Sequence, residues 1–200
     1  MAISTHPTKA RLVETAAEIL GSRKPQEIQV DEILEKSGIS KGSLYHHFED
    51  LAELLEHAQV LRYSQWVDRS IAIIIGELGA AKTKEDIIAS LKKVTIYTQS
   101  PDYRATRFER ARTLANSELS PRFQKALGAE QDRLTSALED LVIEAQNKDL
   151  FKKELDARVA AVFIQSYTLG KIVDDIVPAP INAENWNEFI LHMLKNTMVS

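Results

Sequence analysis

The stretch Gly38 to Phe48, GISKGSLYHHF, constrains this chain more than any other. Gly38 suits the residue just past a helix end, where the backbone turns with positive φ, and Ser40 suits the N-cap of a following helix. A helix, a three-residue turn and a short second helix make a helix-turn-helix layout. In the second helix Leu44 and Phe48 lie four apart on one face, with Ile39 just upstream, and can anchor it to a core. The opposite face carries Lys41, Ser43, Tyr45, His46 and His47, all able to donate hydrogen bonds to phosphates or base edges. Gly42 lets the backbone come close to a strand, so the helix suits entry into a DNA major groove. An ordinary solvated first turn carrying Lys, Ser and His is the plainer alternative.

The flanking sequence reads as helix throughout. Leu12, Val13, Ala16, Ala17 and Leu20 mark a helix over about 9–22, with Thr8 as a possible cap, and Pro25 breaks the chain. A second helix spans about 30–37 with Val30, Ile33 and Leu34 inward. Asp50 and Glu53 form a capping box for a long helix through Leu54, Leu55, Ala58, Leu61 and Tyr63 to about Ile75, ended by Gly76 and Gly79. Further helices are expected over about 86–99, 103–117, 121–147, 154–177 and 184–197, with no strand alternation. The expected fold is all-α: an N-terminal three-helix helix-turn-helix domain, residues 1–50, joined by the long helix to a larger helical domain, 51–200, for effector binding and dimerisation.

Lys9 to His57, KARLVETAAEILGSRKPQEIQVDEILEKSGISKGSLYHHFEDLAELLEH, resembles the N-terminal domain of the TetR family of transcriptional regulators, and SKGSLYHHF is its most specific part. The rest of the chain is similar to the family in length and helical pattern. The resemblance implies a homodimeric repressor in the cytoplasm that binds a pseudopalindromic operator and is released by a small molecule. It implies DNA contacts from Lys9, Arg11, Gln29, Ser40, Lys41, Gly42, Ser43, Tyr45, His46 and His47. Lys41 and Ser43 would read base edges, Tyr45 and His47 would hold phosphates, and His46 could do either. Gln29 stands where many relatives carry Thr, and Leu51 where they commonly carry a phosphate-holding Lys, so one anchor is missing. The alternative reading is a helical small-molecule sensor or interaction protein with weak or no DNA binding.

Charge bears on that choice. The chain has a formal net charge of −4, not the footprint of a basic nucleic-acid binder. Up to Glu56 there are six cations (Lys9, Arg11, Arg23, Lys24, Lys36, Lys41) against ten acids, which is the whole net charge. A DNA-binding reading therefore requires the acids to face away from the duplex, and implies modest non-specific affinity because few phosphates are neutralised.

Beyond residue 150, small and aromatic residues suggest a four-helix dimer interface from Ala160, Phe163, Tyr167, Gly170, Trp186, Phe189, Ile190 and Met193. An ordinary intrachain core would use the same residue types. Tyr63, Trp66, Tyr97, Tyr103, Phe108 and Arg112 are candidates for an effector pocket. Arg104, Arg107, Arg110 and Arg112 crowd one helix and read as a solvated face balanced by Glu109 and Asp102; an inward arginine among them would suit an acidic effector. With no cysteine there is neither a disulfide framework nor a thiolate metal site. Met1 to Thr8 has no apolar run that would mark a signal peptide, and Ile71 to Ile75 is too short to span a bilayer. Glu53 with His57 and Glu188 with His192 are i, i+4 pairs lacking a third ligand, and no nucleophile elbow, phosphate loop or dinucleotide fingerprint occurs. The expectation is a non-enzyme with no cofactor and no metal.

Overall fold

Pro7 starts the first helix, because its fixed φ suits the first helical position and its missing N–H would have no partner there. The computed structural model describes residues 6–200, so residues 1–5, which open the predicted first domain and the Met1–Thr8 stretch, lie outside the described residues. Helix α1 runs Pro7–Leu20 with His6 at its N-cap, and Thr8, read as the cap, lies inside the helix. Helix α2, Val30–Ser37, ends at Gly38, which takes φ 70° and donates its N–H to Leu34 O at 2.9 Å.

Helix α3, Lys41–His47, is one turn after that glycine. Ser40 Oγ accepts from the Ser43 N–H at 3.2 Å, so the cap is the one expected. Phe48 turns extended and drops its ring into the core, ending α3 one residue early. Helix α4, Leu51–Leu78, outlasts the expected end: Gly76 stays helical and Gly79 follows the last turn. Its cap is a variant of the box, since Asp50 Oδ1 accepts from Glu53 N–H at 2.8 Å while Glu53 Oε2 accepts from Glu49 N–H at 2.6 Å, not from Asp50.

The chain divides into two compact units, and the division falls inside helices. The first holds the residues up to Trp66 together with Leu119–Glu130. Its core is Leu12, Ala16, Ile33, Leu44, Phe48, Leu54 and Ala58 with their neighbours, drawn from α1 to α4. Leu119–Glu130 brings in the start of helix α7, Pro121–Asn147, whose Phe123 and Leu127 are buried.

The second unit holds Val67–Glu118 and Gln131–Ser200. Helix α5 is Lys84–Gln99, opened by a Thr83–Asp86 capping box; α6 is Arg104–Asn116; α8 is Ala157–Gly170; α9 is Ile172–Asp175; α10 is Ala183–Met198. Helices α5 and α10 pack together, and Ile87, Leu91, Val142, Leu150, Phe151, Ile190 and Leu194 form the core. Among the described residues no strand forms, though an antiparallel bridge pairs Phe151 with Val199.

Two expectations in this unit give way. The single helix over 154–177 starts later, where Asp156 Oδ1 caps Val159 N–H at 2.9 Å, and breaks at Lys171, whose ammonium is buried against Asp174 and Asp175. The arginine-rich helix is not a solvated face, because Arg107 and Arg110 are buried. Arg107 points inward but already holds a carboxylate, that of Asp175, and its NH1 donates to Thr98 O at 2.8 Å at the end of α5.

Candidate nucleic-acid interface

The α1–α2–α3 core leaves one face of α3 open, since Leu44 and Phe48 consume the other. Ser40, Lys41, Gly42, Tyr45 and His46 are exposed and Ser43 and His47 half-buried. Tyr45 keeps 46% of its surface accessible, unusual for an aromatic residue with no structural task. A Cβ on Gly42 would meet nothing within 4 Å, so that backbone is open to close approach. Ser40 and Ser43 Oγ atoms lie 3.0 Å apart, which ties both hydroxyls into the cap. Arg11 and Gln29 are exposed, and Gln29 makes no side-chain capping bond to α2. Lys9 Nζ sits 5.0 Å from the centre of the Phe48 ring, holding that cation beside α3.

His6, which sequence reasoning did not single out, joins this surface: its ring centre is 4.6 Å from that of His47, itself 5.1 Å from His46. A lone histidine ahead of a helix gives no sequence signal. Partial burial, and then the neighbouring His6, His46 and Lys9, hold the His47 pKa below the ordinary histidine value. His57 packs edge-on against Phe48 at 5.5 Å between ring centres. Burial lowers its pKa too, Lys9 adds to that effect, and Glu53, 3.9 Å away, opposes it.

Several acids of this unit are held in ion pairs. Arg122, from α7, sets its Nε 2.8 Å from Glu56 and its NH1 3.5 Å from Glu53 and 3.6 Å from Glu49. Lys36 pairs with Glu18 at 3.0 Å and Arg23 with Glu32 at 2.8 Å. Among the described ion pairs, five of the ten N-terminal acids thus carry a partner, and Arg122, far along the chain, serves three of them.

The remaining predicted residues scatter. Tyr63 is buried beside Trp66, ring centres 5.3 Å apart, in the first unit. In the second, exposed Tyr97 meets Tyr103 edge-on at 5.2 Å, Arg104 lies over Phe108 at 5.2 Å, and Arg112 is exposed. The second unit does hold a small apolar cavity of about 30 Å³, lined chiefly by Leu78, Ile87, Leu91, Leu138, Val142 and Phe151, and none of the six pocket candidates lines it. Of the interface candidates, Ala160 and Ile190 are buried in the chain's own core, Tyr167 OH lies 3.5 Å from Thr95, and Trp186 Nε1 donates to Gln99 Oε1 at 2.9 Å. Phe163, Gly170, Phe189 and Met193 are exposed, and so are Val159 and Val162, which periodicity alone did not separate from the core. Among the described residues no group of three His, Cys, Asp or Glu side chains could hold a metal ion, and no helix is long and apolar enough to cross a membrane.

A capped short helix behind a left-handed glycine, among described residues that form no strand, makes a helix-turn-helix of the kind that DNA-binding proteins use. Residues 12–58 match the family of bacterial regulatory proteins described as the tetR family. Residues 12–58 are thus similar to that family's N-terminal domain, and over its length the chain carries a fold similar to that of solved transcriptional regulators. Its structure is similar to that of GusR from Salmonella enterica, with a TM-score of 0.68 at 21% identity over 98% of this chain and 97% of that one. A TetR transcriptional regulator from Chloroflexus aurantiacus gives a TM-score of 0.64 at 19% identity over 96% of each chain. The ketosteroid transcriptional regulator KstR2 of Mycobacterium tuberculosis gives 0.54 at 17% identity over 98% of this chain and 96% of that one. No curated protein sequence matches this chain.

Proposed function

We propose that the chain is a ligand-responsive repressor that grips a pseudopalindromic operator as a homodimer. The observation that carries this reading is the open face of α3, where Lys41, Gly42, Tyr45 and His46 stand clear of the core on a helix fixed by Gly38 and Ser40. In this reading Lys41 and Ser43 reach base edges, Tyr45 and His47 hold phosphates, and Lys9, Arg11 and Gln29 hold the flanking backbone. DNA contacts stay within residues 1–50, and the effector and dimer surfaces within 51–200. The scarcity of cations is tolerable because contacts are local, with a Debye length of about 10 Å at moderate salt, and because five of the ten acids are internally paired.

Dimerisation is proposed through Phe163 on α8 and Phe189 and Met193 on α10, joined by Val159 and Val162. Phe163 and Phe189 expose 44% and 56% of their surfaces, more apolar area than a lone domain gains by showing. The effector site is proposed at the apolar cavity of the second unit. Since Arg107 is neutralised by Asp175, the acidic effector that an unpaired inward arginine would call for loses its support, and an uncharged, largely apolar molecule fits the lining better. The cavity must widen to admit it, and a ligand that favours the wider state weakens operator affinity by that difference. We infer regulation rather than catalysis, in the cytoplasm where the operator lies.

A gel shift with the promoter region beside the coding sequence tests the reading. Retardation by the wild-type protein and its loss in the Lys41→Ala/Tyr45→Ala double variant are expected. A shift unaltered in that variant overturns the contact assignment. A shift lost on Phe163→Glu together with a halved hydrodynamic mass is the expected signature of the dimer.

A further inference from the structure

Three imidazoles meet beside the recognition helix. His6 at the N-cap of α1 and His46 on α3 flank the His47 ring, with ring centres 4.6 Å and 5.1 Å from it. We propose that His6 is a further DNA-contacting residue and that the His6–His46–His47 cluster takes up protons as the duplex docks, so the protein holds the DNA backbone more tightly as the pH falls. The proposal rests on the DNA-binding reading of α3 given above.

The charges around the cluster decide its behaviour. From α1 come His6 and Lys9; from α3 itself comes His46; all three act on His47 as positive or potentially positive groups. From α4, His57 packs against Phe48, and the carboxylates Glu53 and Glu56 act on His57. In the free protein, burial and then the positive neighbours His6, His46 and Lys9 hold the His47 pKa below the ordinary histidine value. A phosphate oxygen against the same rings reverses the balance, because a protonated imidazole donates a charge-assisted hydrogen bond to it while the neutral ring offers at most a weaker one. The His47 pKa then lies higher in the complex than in the free protein. Any group whose pKa rises on binding makes the affinity increase as pH falls between the two values. A surface with so few lysines and arginines gains its missing positive charge in this way only where DNA is present, which keeps the free protein from adding to its own repulsion.

The test uses the full-length protein and fluorescence anisotropy with a rhodamine-labelled duplex from the promoter region beside its coding sequence, and a random duplex of equal length, at constant ionic strength. The expected result is binding roughly 3- to 30-fold tighter at about pH 6.0 than at about pH 7.5, as for uptake of about a third of a proton to one proton per dimer. Both duplexes should show it, since the phosphates are common to them. His6→Gln and His47→Gln should each lower the slope of log affinity against pH, and the triple variant with His46→Gln should flatten it; the slope is the readout, whatever the affinity itself becomes. Circular dichroism checks that the variants keep their helix content. Independently of any variant, proton NMR of the wild-type histidine rings should give His6 and His47 higher pKa values in the complex than free. A flat wild-type profile, a slope unchanged in the folded triple variant, or ring pKa values equal in both states overturns the inference while leaving DNA binding intact. Failure of the wild-type protein to bind either duplex at any pH in low salt instead overturns the DNA-binding reading, and this inference with it.

Discussion

Arg107 and Asp175, far apart in sequence, meet inside the second unit through two parallel bonds, Nε to Oδ2 at 2.6 Å and NH2 to Oδ1 at 2.8 Å. The pair is almost entirely withdrawn from solvent, and Arg107 also closes the end of α5 by donating to Thr98 O and Ser100 O. Removing Asp175 strands the buried Arg107 charge, whereas removing Arg107 leaves Asp175 its longer contact with Lys171, 3.7 Å away. Asp175→Leu alone should cost about 3–5 kcal/mol of unfolding free energy and Arg107→Met less, whereas the double variant should recover most of the loss because Lys171 keeps Asp174 as its partner. Urea unfolding of the three variants checks this; a double variant as unstable as the sum of the singles would contradict it.

Gly38 should be replaceable only at the expense of backbone strain. Nothing lies within 4 Å of where its Cβ would sit, and its φ of 70° is left-handed. Gly38→Ala should therefore cost about 1–2 kcal/mol with no clash involved, and Gly38→Asn less, since Asn tolerates that region. Ser40→Ala removes the cap of α3 and should cost about 1 kcal/mol. Chemical denaturation monitored by the first unit's helix signal distinguishes these values.

Arg122 gathers three carboxylates, Glu49, Glu53 and Glu56, and its hydrogen bond to Glu56 raises its own pKa above the usual arginine value. Arg122→Glu would place a fourth carboxylate among them. The thermal midpoint should fall, and fall further in about 20 mM salt than in about 0.5 M salt, because the repulsion is screened. Arg122→Gln should show a smaller loss with a weaker salt dependence.

Below neutral pH the first unit should lose stability through His57. Its folded pKa is depressed, chiefly by burial, so the unfolded chain binds a proton more readily than the folded one. The stability this group contributes is complete above about pH 6.5, its unfolded value, and declines as the pH falls through the window below it. Thermal midpoints measured from about pH 7.5 to about pH 5.5 should decline less steeply in His57→Gln than in the wild type, even if that variant starts lower for want of the contact with Phe48.

Much of the first unit was legible in the order of residues. Gly38, Ser40, Leu44 and Phe48 stand within a few residues of the partners that explain them, so the turn, the cap and the buried face of α3 follow from local geometry. Pro121 and Asn147 likewise bound α7 as read. The single helix expected over 154–177 is two helices in the structure: helical periodicity continues across Lys171, yet α8 ends at Gly170 and the short α9 follows, with the Lys171 ammonium packed against Asp174 and Asp175. The arginine-rich helix was misjudged because a carboxylate that can hold Arg107 inside the unit lies in a different helix.

The sequence by itself determined the helix-turn-helix geometry, the Ser40 cap and the exposure of Lys41, Tyr45 and His46, since caps, glycine dihedrals and i, i+4 spacing act over one or two turns. Tertiary structure alone decided which charges neutralise one another and which apolar side chains stay exposed. It brought Arg122 to Glu56, Arg107 to Asp175 and His6 to His47, and it separated buried Ala160 and Ile190 from exposed Phe163 and Phe189. Electrostatic pairing and burial depend on distance through space, and a one-dimensional pattern fixes that distance only between near neighbours along the chain.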